Sequence, residues 1–330
     1  ADVDATGRLL ALARPEWLAK QRDGSPGRFL LRNGRAAVLP PEDPLAHAPF
    51  LAVAALDGDP ARARIHLAAP LNRQDVEELF AAHIRTEDVL CWDPDAEAVI
   101  ARRRVRLDAL VLEESPPAVP PSPDAVTPAV LEGIRLLGLS CLPWTEELRQ
   151  WQARVTLLRA LEGKVWPDVT DAALSDTLET WLAPFLTGIA RRAQFRAVDL
   201  KGALRALLPW ELAQRLERDA PTHLDVPSGS RLRLDYRPEG GPVLAVKLQE
   251  MFGCVTTPCV AGGKAPVCLH LTSPAGRPLQ VTRDLAGFWR TGYPAVRAEM
   301  RGRYPKHPWP KDPLTAPPTR KTSRALRQQP

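Results

Sequence analysis

Proline limits what this chain can fold into more tightly than any other residue. The 330 residues include 35 prolines, about twice the roughly 5% typical of proteins. Each one fixes φ, removes a backbone donor and pushes the preceding residue toward an extended conformation. The most informative run is residues 301–313, Arg-Gly-Arg-Tyr-Pro-Lys-His-Pro-Trp-Pro-Lys-Asp-Pro. Neither a helix nor a central strand can carry prolines at that density. The segment is expected to be a stiff ribbon displaying Arg303, Tyr304, Lys306 and Trp309. Such a ribbon either packs back on its domain as a clamp or offers basic and aromatic groups to a partner.

Charge keeps both readings open. The net charge is only +5, but residues 290–330 carry ten Lys or Arg against Glu299 and Asp312, a local +8. The preceding residues hold 34 bases and 37 acids, a net −3. A localised positive segment suits an acidic partner, with nucleic acid the commonest case, or serves as a solubilising tail. The apolar fraction of 45% and the charged fraction of 25% are those of a globular chain with a normal core. Five cysteines without framework spacing point to a reduced compartment, and no apolar run approaches the roughly 18 residues of a membrane span. The sequence starts directly in a helical pattern, as expected of a piece of a longer protein.

The expected fold class is α+β and multidomain: an OB-like β-barrel, then a helical subdomain, then a mixed α/β C-terminal subdomain. Residues 1–22 read as the terminal helix of a helical domain, with an apolar stripe from Leu9 to Leu18 interrupted at Pro15. Residues 23–114 read as the barrel. Asn33-Gly34 marks its first hairpin, Asn72 caps a helix, and two strands at 89–93 and 99–107 complete it; a small sandwich with an accessory helix is the rival. Residues 115–127 form a Pro-rich linker. Residues 128–220 are helical, with Thr170 as a cap and Trp151 and Trp181 on apolar faces. Residues 221–313 are mixed, with a hairpin of strands 231–236 and 243–248, a strand at 267–271 and a helix capped by Asp284. Residues 314–330 lack apolar pattern and are expected to be a disordered basic tail.

Chemistry-bearing motifs are few. Gly262-Gly263-Lys264 is followed by Ala265 and lacks the upstream glycine of a phosphate loop, so it reads as a turn. Cys254, Cys259, Cys268 and His270 could supply four zinc-type ligands, but their spacing is that of no standard knuckle, and small buried thiols explain them equally. Ser228-Gly229-Ser230 lacks the frame of a nucleophile elbow, and His223 near Asp225 is explained by a loop entry. The cluster at Arg102, Arg103, Arg104 and Arg106 is more specific. Strand alternation puts Arg102, Arg104 and Arg106 on one face and Val105 and Leu107 on the other. That face suits a phosphate backbone; the competing explanation is an edge strand that uses charge to resist aggregation. Arg297 and Arg301, four apart on a helix, lead into the ribbon as a second basic set.

The runs Leu248-Gln249-Glu250-Met251-Phe252-Gly253, Asp284-Leu285-Ala286-Gly287-Phe288-Trp289-Arg290 and residues 300–313 closely resemble the C-terminal end of bacterial ATP-dependent helicases of the HrpB family, in the DEAH/RNA-helicase-A-like class of superfamily 2. Leu67-Ala68-Ala69-Pro70, Leu142-Pro143-Trp144 and Pro227-Ser228-Gly229-Ser230 resemble that family as well. The resemblance implies two RecA-like lobes, a winged helix and ratchet helices ahead of the OB-like domain, with ATP and Mg held in those lobes and no cofactor, metal or catalytic residue in this chain. It leaves open whether the chain is an enzyme in any sense, and implies an accessory region of a cytoplasmic RNA helicase. The expected partners are single-stranded RNA or another nucleic acid and the RecA-like lobes of the same parent chain, with no membrane. Arg102, Arg104 and Arg106 are the first candidates for backbone contacts. Arg297, Arg301, Arg303, Tyr304, Lys306 and Trp309 are the second. The rival is a protein-interaction module that docks a cellular partner through the C-terminal subdomain.

Overall fold

The computed structural model describes residues 3–22, 24–58, 63–237 and 241–322. They divide into two units, residues 1–133 with 188–191 and residues 134–187 with 192–330. Unit 1 opens with helix α1 (Val3–Ala13) and strand β1 (Leu18–Gln21). This corrects the single helix expected through residue 22. Pro15 has no N–H to continue the ladder and restricts Arg14, which sits at φ −137 and ψ 68. One 3-10 turn at Pro15–Trp17 then redirects the chain into a strand. Leu18 and Ala19 are both fully buried, on opposite faces of β1.

Strands β2 (Arg28–Leu31), β3 (Ala36–Val38), β4 (Phe50–Leu56) and β5 (Ala63–Leu71) join β1 in a closed barrel of order β1-β2-β3-β5-β4. β4 pairs back on β1, and the β3–β5 pair is parallel. The Asn33-Gly34 turn links β2 to β3 as expected, with Gly34 at φ +86, a left-handed value that glycine adopts without strain. Both faces of the wall are buried, so Phe50 to Val53 reads as an unbroken apolar run. Leu51 and Val53 join Phe29, Leu31 and Ile65 in one core, while Phe50 and Ala52 join Leu71, Val76 and Phe80 in the other. Helix α2 (Arg73–Phe80) closes that second core. Its cap is reciprocal: Asn72 Oδ1 accepts from the Asp75 N–H at 2.8 Å, and Asp75 Oδ2 accepts from the Asn72 N–H at 3.3 Å.

The strands expected to finish the barrel lie elsewhere. β6 (Ile84–Asp93), β7 (Ala98–Leu107) and β8 (Leu110–Ser115) form a separate antiparallel sheet with β7 in the middle. The reason is a strand count: with β1 inside the barrel, five strands already close it before α2 begins. The Pro-rich connection is also shorter than expected, because helix α3 (Pro123–Leu137) starts inside it. Proline at a first helical position gives up only a donor that would have no partner there. Gly133 permits α3 to lie against Trp92, since a Cβ at that position would run into the indole.

Unit 2 contains α4 (Glu146–Glu162), α5 (Asp171–Asp176), α6 (Leu178–Trp181), α7 (Leu200–Ala206) and α8 (Trp210–Asp219). Thr170 caps α5 through the Ala173 N–H, and Trp181 is buried as its apolar spacing indicated. The expected strand 231–236 is two strands: β10 (Arg231–Arg233) pairs with β9 (His223–Asp225), and β11 (Asp235–Arg237) pairs with β12 (Gly241–Lys247). The break is at Leu234, buried, with its N–H on the Thr222 carbonyl at 2.9 Å. The turn at 238–240 lies outside the described residues. After the short pair β13 (Cys259–Val260) and β14 (Ala265–Pro266), strand β15 (Cys268–Thr272) runs parallel to β12, and β16 (Pro278–Thr282) completes a sheet of order β11-β12-β15-β16. Helices α9 (Leu285–Thr291), capped by Asp284, and α10 (Tyr293–Arg303) follow. One continuous core joins Val155, Leu158 and Leu216 of the helices to Leu244, Val246 and Leu269 of the sheet and to Met300 and Trp309.

The ribbon is the last layer of that core. Tyr293 donates its hydroxyl to the Pro310 carbonyl at 2.9 Å, Arg297 Nε reaches the Trp309 carbonyl at 2.9 Å, and the Gly253 N–H reaches the Pro313 carbonyl at 2.9 Å. Burial pushes the Tyr293 phenol up to about 12, so this donor keeps its proton. The expected disorder beyond 313 does not hold for residues 314–322. Thr319 is buried, and its N–H reaches the Gln249 carbonyl at 2.9 Å. Residues 323–330 lie outside the described residues. Trp309→Ala removes a buried indole from the core and is expected to cost about 3–5 kcal/mol, whereas exposed Lys306→Ala stays within about 0.5 kcal/mol; urea unfolding of the full chain separates them.

Glu162 ties three elements together. Its carboxylate accepts from Trp166 Nε1 at 2.9 Å, Lys264 Nζ at 3.1 Å and Arg215 Nη2 at 2.6 Å. The indole bond, then the lysine and arginine, hold its pKa down to about 2. A depressed folded value stabilises the protein above the unfolded carboxylate value of about 4.3 and is lost as pH falls toward the folded one. Glu162→Gln is expected to lower the urea midpoint at neutral pH and to flatten its decline between about pH 4.5 and 2.

Candidate nucleic-acid interface

Alternation along β7 does what the sequence indicated. Leu107 is fully buried and Val105 packs against the core, which turns Arg102, Arg104 and Arg106 to the opposite face. The setting differs. β7 is the central strand of its own sheet, hydrogen-bonded on both sides, so it is neither a barrel strand nor an edge in need of protective charge. Cross-strand register adds Arg85 opposite Arg106, Glu87 opposite Arg104 and Glu114 on the other side of Arg104. Arg106 Nη1 meets Glu87 at 3.0 Å and Arg104 Nε meets Glu114 at 2.5 Å. Arg103, on the reverse face, is held by Asp88 at 2.9 Å. Arg102 is exposed and has no ion pair among the described residues. Around Arg102, Arg104 and Arg106 this face therefore sets four guanidiniums against two carboxylates, with Asp93 at its far end accepting from the Ala96 N–H. Exposed pairs of this kind contribute only about 0–1 kcal/mol, so a phosphate can take over either arginine at little cost.

The second basic set divides. Trp309 cannot meet a base, because it is buried in the unit 2 core with its indole N–H on the Tyr304 carbonyl at 3.0 Å. That corrects its expected place at an interface: the prolines that stiffen the ribbon also fit it tightly against α10. Tyr304 is half-buried, its hydroxyl 3.4 Å from Ser273 Oγ. Arg297 is engaged by the Trp309 carbonyl. Arg301, Arg303 and Lys306 remain exposed, with Arg303 near Glu299 at 3.5 Å.

Four of the segments that carried the family resemblance, at residues 227–230, 248–253, 284–290 and 300–313, converge within unit 2. Buried Glu250 accepts from Ser228 Oγ at 2.7 Å and from Ser230 Oγ. Gln249 Nε2 donates to the Pro308 carbonyl at 3.3 Å. Phe252, Trp289 and Tyr293 form an aromatic node, with Trp289 and Tyr293 edge-to-face at 5.4 Å. Trp289 donates to the Cys254 carbonyl at 2.8 Å. These motifs pack as one scaffold.

Gly262-Gly263-Lys264 lies in the turn between β13 and β14. Lys264 extends to Glu162 and Ala265 opens strand β14. The Cys254 and Cys259 thiols donate to the Thr256 and Thr257 carbonyls, and no group of three or more potential metal ligands occurs among the described residues.

Sequence reasoning passed over a cleft of about 790 Å³ in unit 2, walled by α4, α7, α8 and β10. Trp151, Arg154, Lys201, Arg205, His223 and Arg233 are among its lining residues. Buried Arg154 closes the end of α8, donating to the Leu216 and Ala220 carbonyls and pairing with Glu217 at 3.0 Å. Trp210, outside the Leu212–Leu216 apolar stripe of its helix and 69% exposed, lines an adjoining hollow that shares Ala213 and Glu217 with the cleft.

Residues 181–313 match the family model described as "ATP-dependent helicase C-terminal", and residues 83–116 match that of the "ATP-dependent RNA helicase HrpB, connector region". A curated relative, the ATP-dependent RNA helicase HrpB of Escherichia coli (strain K12), is 40% identical over 327 residues, covering 98% of this chain and 40% of the relative. The chain thus spans about two fifths of that relative's length. The crystal structure of the E. coli DExH-box NTPase HrpB aligns with a TM-score of 0.62 at 40% identity, covering 96% of this chain and 39% of that one. The crystal structure of the Escherichia coli DEAH/RHA helicase HrpB aligns at 0.54 and 38% identity, covering 92% and 38%.

Proposed function

Because the chain belongs to the HrpB family and corresponds to its C-terminal portion, we propose that it serves an ATP-dependent RNA helicase as an accessory region that holds single-stranded nucleic acid. The observation that carries this reading is the excess of guanidiniums on the open face of the β6-β7-β8 sheet. The barrel supports it: five strands closed in the order β1-β2-β3-β5-β4, with a parallel β3–β5 pair, fit the OB-like reading, a scaffold used repeatedly for oligonucleotides. Arg102, Arg104, Arg106 and Arg85 bind phosphates, which carry no sequence information; the contact is sequence-tolerant, as a translocating motor requires. Arg301, Arg303 and Lys306 form a smaller, separate cationic surface.

ATP hydrolysis belongs to the RecA-like lobes of the parent protein, for which this region supplies support and a nucleic-acid surface. No described helix is long and apolar enough to cross a membrane, and a cytoplasmic setting goes with the helicase role. The packed ribbon weighs against a protein-docking surface built from its aromatic groups, since Trp309 is already committed to the core.

The test is fluorescence anisotropy with a short single-stranded RNA. The combined Arg102→Ala, Arg104→Ala, Arg106→Ala variant is expected to bind about tenfold or more weakly and to lose about 0.7 from the log–log salt slope per phosphate contact removed. Unchanged affinity and slope would reject this reading.

A further inference from the structure

We propose that the cleft walled by α4, α7, α8 and β10 in unit 2 is a second site for single-stranded nucleic acid, taking an unpaired base against Trp151, a neighbouring base on Trp210 in the adjoining hollow, and the phosphates on Lys201, Arg205 and Arg233. It shares a ligand class with the reading above but none of its residues, so the two stand or fall separately.

The cavity, about 790 Å³, lies within the roughly 300–1,000 Å³ of sites that enclose a small ligand, and a nucleoside fits it. Its floor is apolar, made by Leu204, Leu208, Leu216 and Leu234. Trp151 is half-buried: it packs against the unit 2 core and also lines the cleft. Trp210 lines an adjoining hollow that shares Ala213 and Glu217 with this cleft; the three positions lie on one face of α8. Of the nine tryptophans, Trp210 alone is exposed. An open indole suits stacking, which tolerates any base.

The mouth is cationic. Lys201 and Arg205, four apart, share a face of α7, and Arg233 comes from β10. Lys201 Nζ meets Glu147 Oε1 at 3.0 Å. The Glu147 carboxyl is held below its ordinary value by that bond first and also by the charges of Arg205 and Arg233, and all three cations line the same cleft. Arg205 and Arg233 are exposed and make no ion pair among the described residues. The acids nearby are engaged: Glu217 with Arg154 and Glu146 with Gln150. Glu147, exposed and held by Lys201, occupies the place a phosphate would take. Planar indoles beside forked guanidiniums match bases and phosphates better than they match an acidic peptide.

The experiment uses the full chain and a single-stranded oligouridine containing 4-thiouridine, photocrosslinked and mapped by mass spectrometry, with anisotropy in parallel. Crosslinks are expected on peptides bearing Trp151 or Trp210. Trp210→Ala, and separately Arg205→Glu with Arg233→Glu, are expected to abolish them and to weaken binding about tenfold at an unchanged urea midpoint. The Arg102→Ala, Arg104→Ala, Arg106→Ala variant is expected to keep them. Crosslinks confined to residues 84–115, with affinity unchanged in the cleft variants, would overturn this site while leaving the β7 reading intact. If those variants keep the oligonucleotide but lose a fluorescent acidic, leucine-rich peptide, the ligand class is wrong and the proposal falls.

Discussion

Unit 2 is organised around the burial of Trp309. A ribbon with four prolines between residues 304 and 313 cannot hydrogen-bond as a strand or helix, so its carbonyls need donors from elsewhere. Tyr293, Arg297 and Gln249 provide them from α10 and from the segment after β12, and the Gly253 N–H secures the end. Each of these donors sits beside the aromatic node of Phe252, Trp289 and Tyr293 or within it. Burial of one indole thereby fixes the positions of α9, α10 and the end of the sheet together. It also fixes which basic groups remain outside: Arg301, Arg303 and Lys306.

The chain's electrostatics follow a second constraint. Many of its described arginines are already paired with carboxylates. Arg104 and Arg106 have carboxylates across the sheet, and Arg154 spends its charge on the end of α8. The two uses differ physically. Arg154 is buried, where a charge without partners is very costly, so its bonds are structural. The β7 pairs lie in water, where ion pairs are weak and screened. They hold the guanidiniums in a row without committing them.

Some local decisions were legible because they are settled within a few residues. Asn33-Gly34 needs a left-handed position, Asn72 has Asp75 three residues on, and Thr170 and Asp284 stand where a helix lacks donors. The alternation of Arg102, Arg104 and Arg106 against Val105 and Leu107 was legible for the same reason. Where the reading failed, the deciding partner was distant. Leu18 and Ala19 fit a helical stripe as well as a strand, and only pairing with residues 29–31 and 50–52 makes them a strand. Leu234 looked like mid-strand until its bond to Thr222 split β10 from β11.

The sequence by itself determined the turns, the caps, the face of β7 that bears its arginines, and the family to which those motifs belong. Each depends on short-range geometry or on characteristic residues in order. Tertiary structure alone decided that the barrel closes before α2, that Trp309 is core and not contact, and that Trp151, Lys201, Arg205 and Arg233 face a common cleft. These outcomes depend on which surfaces meet across tens to more than a hundred residues. Side-chain pattern shows that a surface is apolar or charged; it does not show what will cover it.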